Sequence, residues 1–153
     1  MNLFLKDTDY EYYKSAVNSI VSADKLRAAV VTFGCQQNEA DAEVIRGIAQ
    51  DMGYSLTDSV ECADLIVVNT CAIRAHAEEK ALSFIGTLKR IKRQNPSLIV
   101  CVAGCMAAEK GTAEILKNNF HFVWGKNRKP SIRLLERSLP DEARRSSKLP
   151  FGR

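Results

Sequence analysis

Leu65-Ile66-Val67-Val68-Asn69-Thr70-Cys71-Ala72-Ile73-Arg74 changes its periodicity half-way along. Residues 65–68 are continuously apolar, as in a strand buried on both faces. Past Cys71 the apolar residues Ile73, Ala77, Ala81, Phe84, Ile85, Leu88 and Ile91 recur at helical spacing, with Arg74, Glu78, Glu79, Lys89, Lys92 and Arg93 between them. A cysteine therefore stands in the turn between a buried strand and an amphipathic helix. The arrangement occurs twice more: residues 28–33 run into Phe33-Gly34-Cys35-Gln36-Gln37-Asn38, and residues 98–102 into Val102-Ala103-Gly104-Cys105-Met106-Ala107.

Strands alternating with helices predict an α/β, three-layer sandwich with a mainly parallel sheet, Rossmann- or flavodoxin-like. In such a sheet right-handed crossovers bring every strand-to-helix loop to one edge. Cys35, Cys71 and Cys105, distant in sequence, are thus expected together, close to helix N-termini that favour thiolate over thiol. A set of converging thiolates reads first as a metal or cluster site.

Outward from these stretches, Thr8-Asp9-Tyr10-Glu11 has the form of a capping box, and Tyr10, Tyr13, Val17, Ile20 and Val21 predict a helix over about 9–22 that covers the sheet or one of its edges. Asn38 is a candidate cap for a helix whose apolar face is Ala40, Val44, Ile45, Ile48, Ala49 and Met52, and Gly53 closes it. Residues 54–57 alternate like a short strand, and 59–63 suit one helical turn. Asn95-Pro96 ends the helix after Cys71. Further on come a helix over 107–118, a short strand over 120–124 and a helix over 130–139 begun by Pro130. Residues 1–27 are expected to form a helical extension, 28–139 the α/β domain that carries the three cysteines, and 140–153 a basic, flexible tail with too little apolar content to fold alone.

The chain of 153 residues is 46% apolar, enough for one ordinary core. No stretch approaches a membrane span, and the amino terminus has no signal-peptide profile, so the expectation is a soluble, cytoplasmic protein whose five cysteines stay reduced. The net charge of +4 is uneven: residues 126–153 hold nine Lys or Arg against three acids, a local +6 that leaves −2 for residues 1–125. Such an end can touch phosphates, and it equally suits a solvated terminus.

Position sorts the cysteines. Cys101 falls inside a strand and reads as a small core residue; Cys62, in an ambiguous segment, reads as structural. For the remaining three, structural zinc would ask for four ligands and the usual C-x-x-C pairs are missing. His76 follows Cys71 by five residues, on a different helix face, and reads as a surface histidine. Three thiolates suit an iron–sulfur cluster with one iron left open, although spacing alone leaves zinc or a non-catalytic cluster module as alternatives. A flavodoxin-like nucleotide binder is disfavoured because no Gly-rich phosphate loop or Walker sequence follows the first strand.

The residues around the three cysteines narrow the choice. Thr32-Phe33-Gly34-Cys35-Gln36-Gln37-Asn38, Asn69-Thr70-Cys71-Ala72-Ile73-Arg74 with Ala77-Glu78 and Lys80 following, and Gly104-Cys105-Met106-Ala107 resemble the amino-terminal domain of the radical S-adenosylmethionine methylthiotransferases. The Asn-Thr-Cys-Ala-Ile-Arg wording is most similar to the bacterial branch that modifies isopentenylated adenosine beside the tRNA anticodon. The likeness covers about 28–139, and Gln37 departs from it where the family most often has Met. It implies a [4Fe–4S] cluster on Cys35, Cys71 and Cys105, with a sulfur donor and tRNA as partners of the longer enzyme. The family's C-x-x-x-C-x-x-C run, which binds the cluster that cleaves S-adenosylmethionine, does not occur in this sequence. The resemblance therefore implies one domain of a larger protein, inactive without its radical-SAM and tRNA-contacting parts. It also gives Gly34 and Gly104 the task of letting the backbone turn close to the cluster. Gln36, Asn38 and Asn69 would donate hydrogen bonds to cluster sulfurs or fix the loops.

Overall fold

Six successive residues, Leu65–Thr70, are all buried, as a central strand covered on both faces requires. The computed structural model describes residues 15, 18, 19, 21–71, 75–104 and 122–124. In chain order these form β1 (Arg27–Phe33), α1 (Gln36–Asp51), β2 (Ser55–Leu56), a 3-10 turn (Val60–Cys62), β3 (Leu65–Thr70), α2 (Ala75–Gln94), β4 (Ile99–Gly104) and β5 (Phe122–Trp124). The strands make one sheet in the order β2-β1-β3-β4-β5, every neighbouring pair parallel. This is the α/β, flavodoxin-like order expected from the sequence.

The chain reverses direction in the sheet between β1 and β3, so right-handed connections send α1 and α2 to opposite faces. On the α1 face Ala28, Leu65, Val67, Ile99 and Cys101 pack with Val21, Ala49, Met52 and Tyr54. On the α2 face Ala29, Ile66, Val68, Val100 and Val102 pack with Ala81, Ile85, Leu88 and Ile91. The second set matches the helical stripe read from the sequence. Residues 15, 18, 19 and 21–23 are helical, as expected, and this segment covers the end of α1: Val21 is fully buried and the Asn18 side-chain amide donates to the Asp51 carbonyl (3.0 Å).

Gly53 closes α1 as anticipated. At φ +94° its N–H bonds the Gln50 carbonyl (2.9 Å) and the next N–H, of Tyr54, bonds Ala49 (3.1 Å), the paired bonds of a Schellman end. The start and the buried face of α1 differ from expectation. Cys35, not Asn38, is the N-cap, and Asn38 is buried three positions into the helix. Ala40 is exposed and Val44 is 64% exposed, while Asn38, Ala42 and Ala49 face inward. Ile45, Ile48, Ala49 and Met52 pack on the core as the periodicity predicts, and only the first turns differ: Ala40 and Val44 lie outside the stripe, and the inward face there begins with an amide whose partners lie on β3.

The register sets the height of each loop. Phe33 stands beside Thr70, and Thr70 beside Gly104, so β1, β3 and β4 finish level. At the other end β2 pairs only with Arg27 and Ala28, and Ala28 also pairs with Leu65. The connection 57–64 therefore has only to cross the bottom of β1. Asp64 fastens that rim: its carboxylate accepts from the Arg27 N–H (2.8 Å), its N–H donates to the Arg27 carbonyl (2.8 Å), and its carbonyl accepts from the Ile99 N–H (2.9 Å). Among the described residues no helix is long and apolar enough to cross a membrane. Cys105, the helices expected over 107–118 and 130–139, and the tail 140–153 lie outside the described residues.

Candidate metal centre

The level ends of β1 and β3 bring two of the three expected cysteines to one rim. Cys71 follows Thr70 directly, and Cys35 follows Phe33 by two residues. Gly34 makes their closeness possible: a Cβ there would lie 2.8 Å from the Cys71 Cβ and 2.4 Å from the Asn38 Oδ1, both inside contact distance. Cys71 is 2% exposed; Cys35 is half-buried and borders an open recess of about 560 Å3 lined by Gly34, Cys35, Gln36, Gln37 and Glu39. The strand that leads to Cys105 ends at Gly104, which adopts φ +99°. A Cβ on Gly104 would meet the Thr70 carbonyl oxygen at 2.0 Å and the Asn69 Oδ1 at 3.0 Å, so β4 closes on β3 as tightly as a bare backbone allows.

As the N-cap, Cys35 sets its sulfur against the N–H groups of the first helical turn, among them that of Asn38, which also donates to the Cys35 carbonyl (3.0 Å). The Asn38 N–H contributes most and the Gln37 N–H next; with a bond from the Cys71 thiol, they outweigh partial desolvation and hold the Cys35 thiol below the ordinary cysteine range. The expected bias towards thiolate at a helix start is therefore found at Cys35.

Beneath the two thiols lies an uncharged network. The Asn38 carboxamide oxygen accepts from the Cys35 N–H (3.3 Å) and from its thiol (3.3 Å), while its Nδ2 donates to the Thr70 carbonyl (3.1 Å) and to the Asn69 Oδ1 (3.5 Å). Asn69 answers by donating Nδ2 to the Asn38 carbonyl (2.8 Å), and the Thr70 hydroxyl reaches across to the Ala103 carbonyl (2.7 Å). Thr70 was not singled out from the sequence. The available signal was its polar side chain at the end of an otherwise apolar strand, immediately before a cysteine.

The other candidates fall away from this rim. Cys101 is 1% exposed in the sheet core, where burial pushes its thiol up, as expected for a core residue. Cys62 is exposed on the turn before β3, at the opposite rim, and is neither a core residue nor near the pair. The His76 side chain is 97% exposed and lies 4.0 Å from Glu79. Gln36 and Gln37 are exposed at the recess, and Gln37 donates to Asp41 (3.2 Å). Among the described residues no group of three or more His, Cys, Asp or Glu is gathered for a metal ion. What is gathered is the pair Cys35 and Cys71.

Residues 27–125 match the model of the family described as "Uncharacterized protein family UPF0004". Curated relatives that carry the name tRNA-2-methylthio-N(6)-dimethylallyladenosine synthase are similar to this chain. That of Pelotomaculum thermopropionicum is 47% identical over 94 residues, 61% of this chain and 21% of its own length. That of Thermoanaerobacter sp. is 34% identical over 125 residues, covering 80% and 26% respectively. The protein from Malacoplasma penetrans is 46% identical over 99 residues, covering 63% and 20%. The chain thus spans about a fifth to a quarter of the length of the relatives it matches.

Proposed function

Because the chain belongs to the UPF0004 family through residues 27–125, we propose that it is the auxiliary cluster-carrying domain of a cytoplasmic tRNA methylthiotransferase. The observation that supports this most is the meeting of Cys35 and Cys71 at the mouth of the sheet, with β4 ending level beside them at Gly104, one residue before Cys105. The name of the similar proteins, tRNA-2-methylthio-N(6)-dimethylallyladenosine synthase, supports as the reaction the addition of a methylthio group at C2 of an isopentenylated adenosine in tRNA, which the sequence resemblance implies to be the one beside the anticodon.

The donor chemistry fits a thiolate-bound [4Fe–4S] cluster. Cys35 is stabilised as thiolate by backbone N–H groups, Gly34 and Gly104 remove the side-chain bulk that would hold the loops apart, and the recess stands open to solvent. Cys35, Cys71 and Cys105 would hold the cluster, which when bound supplies an iron with an open position for the sulfur to be transferred. The chain's own part is to gather three thiolates and keep carboxylates away from beneath them. Position, more than proton transfer, is its contribution to catalysis. The radical step belongs to a second cluster and S-adenosylmethionine held by other domains, which would also contact the tRNA; these 153 residues alone would be inactive.

Anaerobic reconstitution with iron and sulfide, read by Mössbauer spectroscopy, tests the proposal. A four-iron cluster with one distinct site is the expected result, and stoichiometric zinc without iron would overturn it in favour of a structural module. Replacing Cys35, Cys71 or Cys105 singly with Ala should abolish loading, whereas Cys62→Ala and Cys101→Ala should retain it. Full iron content in any of the first three would refute the ligand assignment.

A further inference from the structure

We propose that Asn38 is a positioning residue of this centre, a neutral clamp that ties the Cys35 loop to the end of β3 and so presets the distance between the two thiols before any metal arrives. The inference rests on reading Cys35 and Cys71 as ligands. It separates the two tasks the sequence left open for Asn38, donor to cluster sulfur or tie between loops.

The side chain's orientation is decided by its neighbours. Thr70 offers a carbonyl oxygen, which can only accept, and the Cys35 backbone offers an N–H, which can only donate. Nδ2 therefore faces Thr70, and Oδ1 faces Cys35. Turned the other way, the amide would set oxygen against oxygen and N–H against N–H inside a site where Asn38 is 5% exposed. Held this way, its two N–H donors are taken by the Thr70 carbonyl and the Asn69 Oδ1, and none is left for a sulfur at the rim. Its bonds to the Cys35 N–H and the Thr70 carbonyl instead join residue 35, a ligand, to residue 70, the neighbour of the next ligand. Asn69 locks the clamp from below by donating to the Asn38 carbonyl (2.8 Å), and Gly34 lets the carboxamide sit directly under the loop.

Neutrality matters as much as shape. Asn38 Oδ1 lies 3.3 Å from the Cys35 sulfur. An aspartate of the same outline would place a full negative charge there, opposing the thiolate, and would lose the donor to Thr70. An amide is the side chain of this length that ties both loops without adding charge beneath the thiols.

The test uses the full 153-residue chain and two readouts. In metal-free protein carrying Cys62→Ser and Cys105→Ser, dibromobimane bridges Cys35 to Cys71, and mass spectrometry of the linked peptide gives the closure rate. Asn38→Ala should slow closure about fivefold, the factor one lost hydrogen bond is worth. Protection of Cys101 from iodoacetamide shows that the fold persists. With all five cysteines restored, reconstituted Asn38→Ala should surrender its iron to a chelator about tenfold faster than the parent, as loss of a ligand's outer partner does. If the alanine variant leaves Cys101 reactive, Asn38→Asp, which keeps the shape, takes its place with the same expectations. An unchanged closure rate with Cys101 protected overturns the clamp. A parent that binds no iron, yet shows closure dependent on Asn38, overturns the ligand reading and leaves the clamp standing.

Discussion

The two rims of the sheet are fastened by different chemistry. At the amino-terminal rim one charged residue, Asp64, stitches β1, β3 and β4 through its carboxylate, N–H and carbonyl, while Lys92 Nζ donates to the carbonyls of Pro96 (2.6 Å) and Leu98 (2.5 Å). At the carboxyl-terminal rim the same three strands are joined by uncharged groups: the amides of Asn38 and Asn69 and the hydroxyl of Thr70. A charged stitch is harmless where solvent is near and the one thiol close by, Cys62, stands exposed and outside the gathered pair. Below Cys35 and Cys71 a carboxylate would oppose ionisation of a thiol at the rim, and the fold uses groups there that bond without charge.

The contrast is broken most severely at Gly104. Gly104→Ala forces a Cβ to 2.0 Å from the Thr70 carbonyl oxygen at φ +99°, and the expected loss in urea unfolding is about 3 kcal/mol, with iron loading lost as β4 moves off β3. A smaller change comes from the other rim. Asp64→Ala leaves the Arg27 N–H without its acceptor and should cost about 1 kcal/mol by the same measurement, while iron content stays at the parent value. Equal loss of iron in both variants would mean that the rims are not separate.

The smallest effect lies in the pH dependence of the metal-free protein, where two cysteines act with opposite sign. The Cys35 thiol is held below its unfolded value, so its contribution is present above that value and is lost as pH falls through the folded one. Cys101 is pushed up by burial, so its contribution is present below the unfolded value and fades as pH rises above it. Cys35→Ser should flatten the acid side of the stability profile and Cys101→Ala the alkaline side. Iodoacetamide should reach Cys35 at a pH where Cys101 is still protected. Matching profiles for the two variants would remove the distinction between rim and core thiol.

Much of this was legible because it is local. The β-branched runs before each cysteine, the α2 stripe of Ala81, Ile85, Leu88 and Ile91, and Gly53 at a helix end are signals confined to a few residues, and each appears where the sequence put it. The sequence also brought Cys35 and Cys71 to one edge, through handedness alone. The inward turn of Asn38 was not legible, because its partners are 31 and 32 residues away and an amide on an apolar helix face reads as solvent-facing until those partners are known. The cap at Cys35 was missed for a related reason: a thiol is a weak acceptor in the usual ranking of caps, and becomes a good one only as a thiolate.

The rung formed by Phe33, Thr70 and Gly104 makes the ladder, not the loops, the ruler of this centre. A slip of one residue in β4 would carry its loop along the strand by about 3.3 Å and exchange Cys101 and its neighbours between the two packed faces of the sheet, so the fit of both cores guards the placement of the rim. Grafting the three loops onto another sheet of this order would therefore require matching a single crosswise row of backbone before any side chain is chosen.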